Sequence, residues 1–171
     1  MYGELSRYPE DNFDRIWTSD FMFNSRDIGG ARNVSSEEPI STKNTENLPP
    51  SAVMQTAFVL NSSVMPIDSG SPNGKKSVLF LYLAEIVKLN MSEWRSFYVM
   101  INGENRSGII PMVDMYSTLQ LTFLCNETDR ILFHLQQASN STISPIINAY
   151  ESYILFGTQP ATYSQDSKCA D

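Results

Sequence analysis

The sequence predicts an all-β fold, an antiparallel β-sandwich or jelly roll, on three observations. Short β-prone runs recur along the chain. Clusters of Asn, Asp, Ser and Gly separate them roughly every ten residues, which is the rhythm of antiparallel sheets. One alternating run ends in Asn102-Gly103, the strongest short hairpin signal. Competing architectures find no footing: Val87-Lys88-Leu89-Asn90-Met91 is too short for more than a turn of helix, and no repeat suggests a solenoid.

The elements follow in order. Residues 24 to 51 form a polar stretch closed by Pro49-Pro50. It is longer than an ordinary structureless loop, so it is expected to be functional, mobile or partly paired. Residues 52 to 59, from Ala52 to Val59, are β-prone, and 61 to 76 form a Pro/Gly/Ser-rich link. Ser77 to Ile86 is almost continuously apolar and reads as a central buried strand. From Trp94 to Ile101 the residues alternate, with Trp94, Ser96, Tyr98 and Met100 on one side and Arg95, Phe97, Val99 and Ile101 on the other. Ser107 to Val113 is the expected hairpin partner. Tyr116 to Leu124, Arg130 to Gln136, and Ile146 to Phe156 after Pro145 complete the strands.

Composition narrows the function. The 171 residues carry 12 Lys plus Arg against 19 Asp plus Glu, a net charge of -7. Nucleic-acid binders need a basic face to neutralise phosphates, so that class is excluded. The single His, His134, rules out a metal site built on two imidazoles from one chain. There is no GxGxxG after a strand, no GxxxxGK[ST], no CxxC and no protein-kinase signature. No cofactor, metal or catalytic residue is expected.

Two side chains are candidates for enzymatic chemistry. Glu85 lies in an apolar strand, where desolvation would raise a carboxyl pKa, and a glycosidase needs two carboxylates. The simpler role for Glu85 is an ion pair, with Arg95 on the next strand as partner, because buried charges are paired. His134 is flanked by apolar residues and reads as a packed sheet residue, since no Ser sits in a nucleophile elbow. Tyr82, Trp94, Tyr98, Tyr116, Tyr150 and Tyr153 could stack on sugars, but most aromatics in a sandwich pack its core. Cys125 reads as a small buried hydrophobe rather than as half of a bridge to Cys169.

Placement in the cell is argued from sequons. No run approaches the ~20 apolar residues of a membrane helix, and Met1 to Arg7 lacks the form of a secretory signal. Asn-x-Ser/Thr nevertheless occurs at Asn33, Asn61, Asn90, Asn105, Asn126 and Asn140. Chance placement of the 13 Asn among 32 Ser and Thr would give roughly 2.4. The excess points to glycosylation on exposed loops and edges, hence to the secretory pathway, with these residues a fragment of a longer gene product or of a mis-started gene model.

Five motifs, in order, then carry a family resemblance. Arg7-Tyr8-Pro9-Glu10-Asp11-Asn12-Phe13-Asp14-Arg15-Ile16-Trp17 resembles the opening of the second module of plant malectin-like ectodomains. Pro49-Pro50-Ser51-Ala52-Val53-Met54-Gln55-Thr56-Ala57 is similar to the family's Pro-Pro-x-x-Val-Met-x-Thr-Ala segment. Leu81-Tyr82-Leu83-Ala84-Glu85-Ile86 resembles its Tyr-Phe-Ala-Glu-Ile strand, with Leu83 in place of Phe. Arg95 to Gly103 is similar to its Arg-x-Phe strand ending in Asn-Gly, and Ser144 to Tyr153 to its closing Pro-Ile-Ile-Asn-Ala-x-Glu-x-Tyr.

The resemblance implies a galactose-binding-like β-sandwich module over residues 1-157, followed by a polar tail over 158-171. It implies a non-catalytic, extracellular part of a plant receptor-like kinase whose repeats, membrane helix and kinase lie outside these residues. The implied ligand is cell-wall carbohydrate or a secreted peptide, and the implied partners are a sister malectin-like module or a co-receptor. Two further readings stand beside it: a carbohydrate-active enzyme using Glu85, and a purely structural receptor-assembly module. One module of a pair is expected to expose an apolar patch on one face.

Overall fold

The computed structural model describes residues 5–7, 11–18, 32–59, 64–68, 75–112, 115–125 and 131–156, with 5–7 and 64–68 described by backbone alone. The chain forms thirteen described strands and one helical turn, with every strand pairing antiparallel. In order these are β1 (Leu5–Arg7), β2 (Ile16–Thr18), β3 (Arg32–Ser35), α1 (Ser51–Met54), β4 (Thr56–Val59), β5 (Val64–Asp68) and β6 (Ser77–Leu83). Then come β7 (Ser96–Ile101), β8 (Glu104–Asn105), β9 (Ile110–Pro111), β10 (Leu119–Cys125), β11 (Leu132–Gln137), β12 (Ile146–Ile147) and β13 (Ala149–Ile154).

Two sheets make the sandwich. One runs β10-β6-β13, and the other β5-β11-β7-β8 with β9 also on β7. Along β6, Leu79, Leu81 and Leu83 are fully buried in one cluster with Phe97 and Val99 of β7 and Phe133 and Leu135 of β11. Burying each such leucine contributes about 1.5–3 kcal/mol. The period-2 pattern of β7 holds: Phe97, Val99 and Ile101 are buried, while Tyr98 and Met100 are half-exposed. Tyr150 of β13 meets Phe133 across the two sheets, edge to face at 5.4 Å between centroids.

The Asn102-Gly103 turn forms as expected, with φ of 49° and 85°. Positive φ at both central positions is the type I′ geometry that matches strand twist, and it joins Ile101 to Glu104. The partner of β7 begins earlier than expected, at β8, and only the two residues of β9 pair within the range Ser107 to Val113. Gly108 at φ 70° bends the chain between them, and Ser107 Oγ accepts the Val99 N–H at 2.9 Å.

Two other expectations are corrected. The β-prone run from Ala52 opens as a helical turn, because Pro50 at φ -56° presents its carbonyl to the Val53 and Met54 N–H groups at 3.0 and 3.3 Å. Ser51 Oγ takes the Ile40 N–H at 2.9 Å, and Val53 and Met54 bury their side chains. Strand structure begins only at Thr56. The polar link over 61 to 76 contains β5, an edge strand on β11, with Pro66 opposite His134. An edge tolerates Pro because no neighbour asks for its missing N–H. The long polar stretch before Pro49 is partly paired, through β3 on β4.

The final run from Ile146 breaks at Asn148, where the chain changes sheets. β12 pairs with β4 and β13 with β6. Asn148 holds the junction: its Oδ1 accepts the Ala84 N–H at 2.7 Å, and its Nδ2 donates to the Met54 carbonyl at 2.8 Å and the Thr56 carbonyl at 3.2 Å. Asn148→Ala is expected to destabilise the fold by about 2 kcal/mol, since three backbone groups lose their partner. Urea denaturation measures this; a loss within error would show that the junction is held by the strands alone.

Candidate functional site

The densest polar-aromatic cluster lies on the outer face of the β10-β6-β13 sheet. Alternation along β6 sends Phe80 and Tyr82 to that face, opposite the leucines. Gln120 and Thr122 of β10, and Ala149 and Glu151 of β13, flank them in register. The segment from Asp11 to Trp17 clasps one end. Asp11 is its pivot: Oδ1 accepts the Phe13 N–H at 3.0 Å, both oxygens accept Arg15 Nε at 3.1 and 3.0 Å, and Oδ2 accepts Trp17 Nε1 at 2.8 Å.

Arg15 then ties the clasp to distant parts of the chain. It reaches Glu151 at 2.9 Å and the Asn47 carbonyl at 2.8 Å. Its guanidinium also stacks 4.9 Å from the Trp17 ring centroid. Tyr82 donates its hydroxyl proton to Glu151 and accepts from Asn47 Nδ2 at 3.1 Å. Trp17 covers Tyr82, edge to face at 6.2 Å. Burial and the Glu151 carboxylate push the Tyr82 hydroxyl above its usual range, and the same two causes raise Tyr153 to about 12. Both phenols therefore stay protonated hydrogen-bond donors at neutral pH. The cluster is closed, with Tyr82 fully buried, and its chemistry is that of a clamp.

Glu85 and Arg95 form the expected ion pair. Arg95 Nε lies 2.7 Å from Glu85 Oε2, and both side chains are 2% exposed. Glu85 Oε1 accepts the Val87 N–H at 3.0 Å, and Arg95 Nη1 donates to the Ser144 carbonyl. Both carboxylate oxygens are thus occupied and out of reach of a substrate. His134 is half-buried in β11, opposite Met100 on one side and Pro66 on the other. Cys125 is buried, forms no disulfide among the described residues, and has its thiol pKa raised by burial. Among the described residues no three His, Cys, Asp or Glu side chains gather as metal ligands would.

The aromatics divide as packing dictates. Tyr82 and Tyr150 are committed to the contacts above, and Tyr98 and Tyr116 are half-buried. Trp94 is 41% exposed, and Tyr153, packed on Phe80 at 6.0 Å, is 44% exposed. Of the sequons, Asn33, Asn90, Asn105 and Asn140 are exposed, while Asn61 and Asn126 lie outside the described residues. The tail over 158-171 and Cys169 also lie outside them. No described helix is long and apolar enough to cross a membrane.

What sequence reasoning missed is the reach of the opening motif. Its signal was an acid, an arginine and a tryptophan at spacings of four and six from Asp11, an arrangement able to close on itself. The partners Asn47, Tyr82 and Glu151 carry no local mark of that role.

Comparison with known proteins agrees with the fold. Residues 2–155 match the Malectin-like domain. The Probable LRR receptor-like serine/threonine-protein kinase At1g05700 of Arabidopsis thaliana is 29% identical over 161 residues, which is 90% of this chain and 18% of that kinase. The chain therefore spans less than a fifth of that relative's length. Among solved structures, the ANXUR1 extracellular domain from Arabidopsis thaliana superposes with a TM-score of 0.70 at 12% identity, over 86% of this chain and 44% of that one. A chain in the crystal structure of the plant peptide RALF23 with FER and LLG2 superposes with a TM-score of 0.70 at 14% identity, over 91% of this chain and 47% of that one. Likeness at these identities is a likeness of fold. The match over residues 2–155 shows that the chain belongs to the malectin-like family.

Proposed function

We propose that this chain is an extracellular binding module of a plant receptor-like kinase, that it recognises a secreted peptide, and that a sister module or co-receptor completes the recognition surface. The observation that carries this reading is the malectin-like match over residues 2–155, joined to a fold neighbour crystallised with the peptide RALF23 and with LLG2. The geometry supports it. The described polar cluster is closed, with Tyr82 fully buried, so it offers no open site for a polyol. In this reading residues 1-157 form the module, residues 158-171 a tail, and the six sequons from Asn33 to Asn140 carry glycans.

The test uses the chain secreted from insect cells. Calorimetric titration with RALF23, alone and with LLG2 present, is expected to give saturable binding in at least the second case. Absence of binding in both would overturn the peptide reading. A cell-wall oligosaccharide panel tests the second reading, which rests on the exposed Trp94 and Tyr153 rings. Peptide mapping after glycosidase release reports on the sequons, and unmodified Asn at all six would remove them from the argument.

A further inference from the structure

Most open sheet edges among the described residues are blunted in the ways that keep edges from pairing. β5 carries Pro66 at its centre. β3 opens with Arg32 and carries the sequon at Asn33. On β10, Arg106 Nη2 caps the Leu124 carbonyl at 3.3 Å. β8, β9 and β12 are two residues each.

β13 is different. It is six residues long, contains neither Pro nor Gly, and lies at the edge of the β10-β6-β13 sheet. The Leu155 N–H donates to the Lys76 carbonyl at 2.7 Å, which fixes the phase of the ladder. Glu151 and Tyr153 bond inward to β6 as Leu155 does, and Ser152, Ile154 and Phe156 turn their N–H and C=O groups outward. Those groups of Ser152 and Ile154 have no backbone partner among the described residues. Beside them Tyr153 is 44% exposed, Ile154 40%, Leu155 43% and Phe156 71%. Tyr153 and Leu155 lie on one face of the strand and Ile154 and Phe156 on the other, so apolar side chains flank the open ladder on both sides.

We propose that β13 is a dimerisation edge: two copies of this chain pair their β13 strands antiparallel about a two-fold axis at Ile154, joining two three-stranded sheets into one. The residues favour a second copy because the edge is self-complementary. In this register Ile154 faces Ile154, Ser152 faces Phe156 and Tyr153 faces Leu155. Three pairs of outward backbone groups are satisfied, four exposed apolar side chains are gathered, and no like charges meet.

Sedimentation velocity of the purified 171-residue chain tests this over about 1–100 µM, the range in which a weak edge-paired dimer dissociates. The wild type is expected to move from monomer to dimer across it. Ser152→Pro removes one outward N–H and no bond to β6, and Ile154→Lys sets two like charges at the axis. Each is expected to raise the dissociation constant at least tenfold while leaving unchanged the melting temperature measured at concentrations where the chain is monomeric. A wild type that stays monomeric throughout would overturn the proposal, as would dimers that form equally well in both variants. No ligand enters the experiment, so its outcome is separate from that of the peptide reading.

Discussion

Replacing Glu85 with leucine is expected to cost about 3–5 kcal/mol, because it leaves the Arg95 guanidinium buried and uncompensated. Arg95 is 1% exposed and cannot turn to water without opening the core around Phe97. Its remaining partner would be the Ser144 carbonyl, a dipole where a full charge stood. The double variant Glu85→Leu/Arg95→Leu is expected to regain much of the loss, since exchanging a whole buried pair for apolar residues is often neutral. It should not regain all of it, because the Val87 N–H and the Ser144 carbonyl each lose a partner. Thermal denaturation should show the single variant melting roughly 10 °C below wild type, with the double variant between them. A single variant as stable as wild type would mean that the pair contributes no more than its apolar replacement. The same contacts explain why Glu85 serves structure: a catalytic acid must meet its substrate, and this one meets only Arg95 and a backbone amide.

The sandwich was legible where one signal dominated. The apolar run from Ser77 became the central strand β6, the alternation from Ser96 became β7, and Asn102-Gly103 turned as those residues require. Legibility failed where tertiary partners overrode local preference. Val53 has a β-branched side chain, yet it sits in a helical turn because the Pro50 carbonyl accepts the Val53 and Met54 N–H groups and Ser51 is held through its hydroxyl to the Ile40 N–H. Val64 to Asp68 looked like a link because Pro66 disguises an edge strand. The break at Asn148 was invisible because its partners, Ala84, Met54 and Thr56, are far away in sequence.

The ion pair and the clamp differ in the same respect. Glu85 and Arg95 lie ten residues apart on successive β-prone runs, so their meeting followed from simple strand order. Arg15 and Glu151 lie 136 residues apart, and only the completed sheet brings them together. The edge of β13 was legible as composition, a run of Tyr153-Ile154-Leu155-Phe156, but not as an edge. Strand order within a sheet is a global property that a local pattern does not encode.

Asp11→Asn is expected to cost about 3 kcal/mol at neutral pH, because an amide NH2 would face donors where a carboxylate oxygen now accepts them. Four contacts converge on Asp11, from Phe13, twice from Arg15, and from Trp17, so neither orientation of the amide serves them all. Arg15→Lys should fare little better, since one ammonium cannot span Asp11, Glu151 and the Asn47 carbonyl as a guanidinium fork does. The charge also gives the clamp a pH signature. Burial alone would raise the Asp11 carboxyl, but the hydrogen bonds from Arg15, Trp17 and Phe13 and the charge of Arg15 outweigh it and hold it below its ordinary 3.8. A folded pKa below the unfolded one means that the stabilisation is fully present above about pH 4 and is lost as pH falls through the folded value. The stability gap between wild type and Asp11→Asn should therefore be widest at neutral pH and narrow as pH drops below about 4. Urea denaturation at pH 7 and pH 3 measures both ends. A gap that does not change with pH would show that Asp11 acts by shape alone, and the clamp would then owe nothing to its charge.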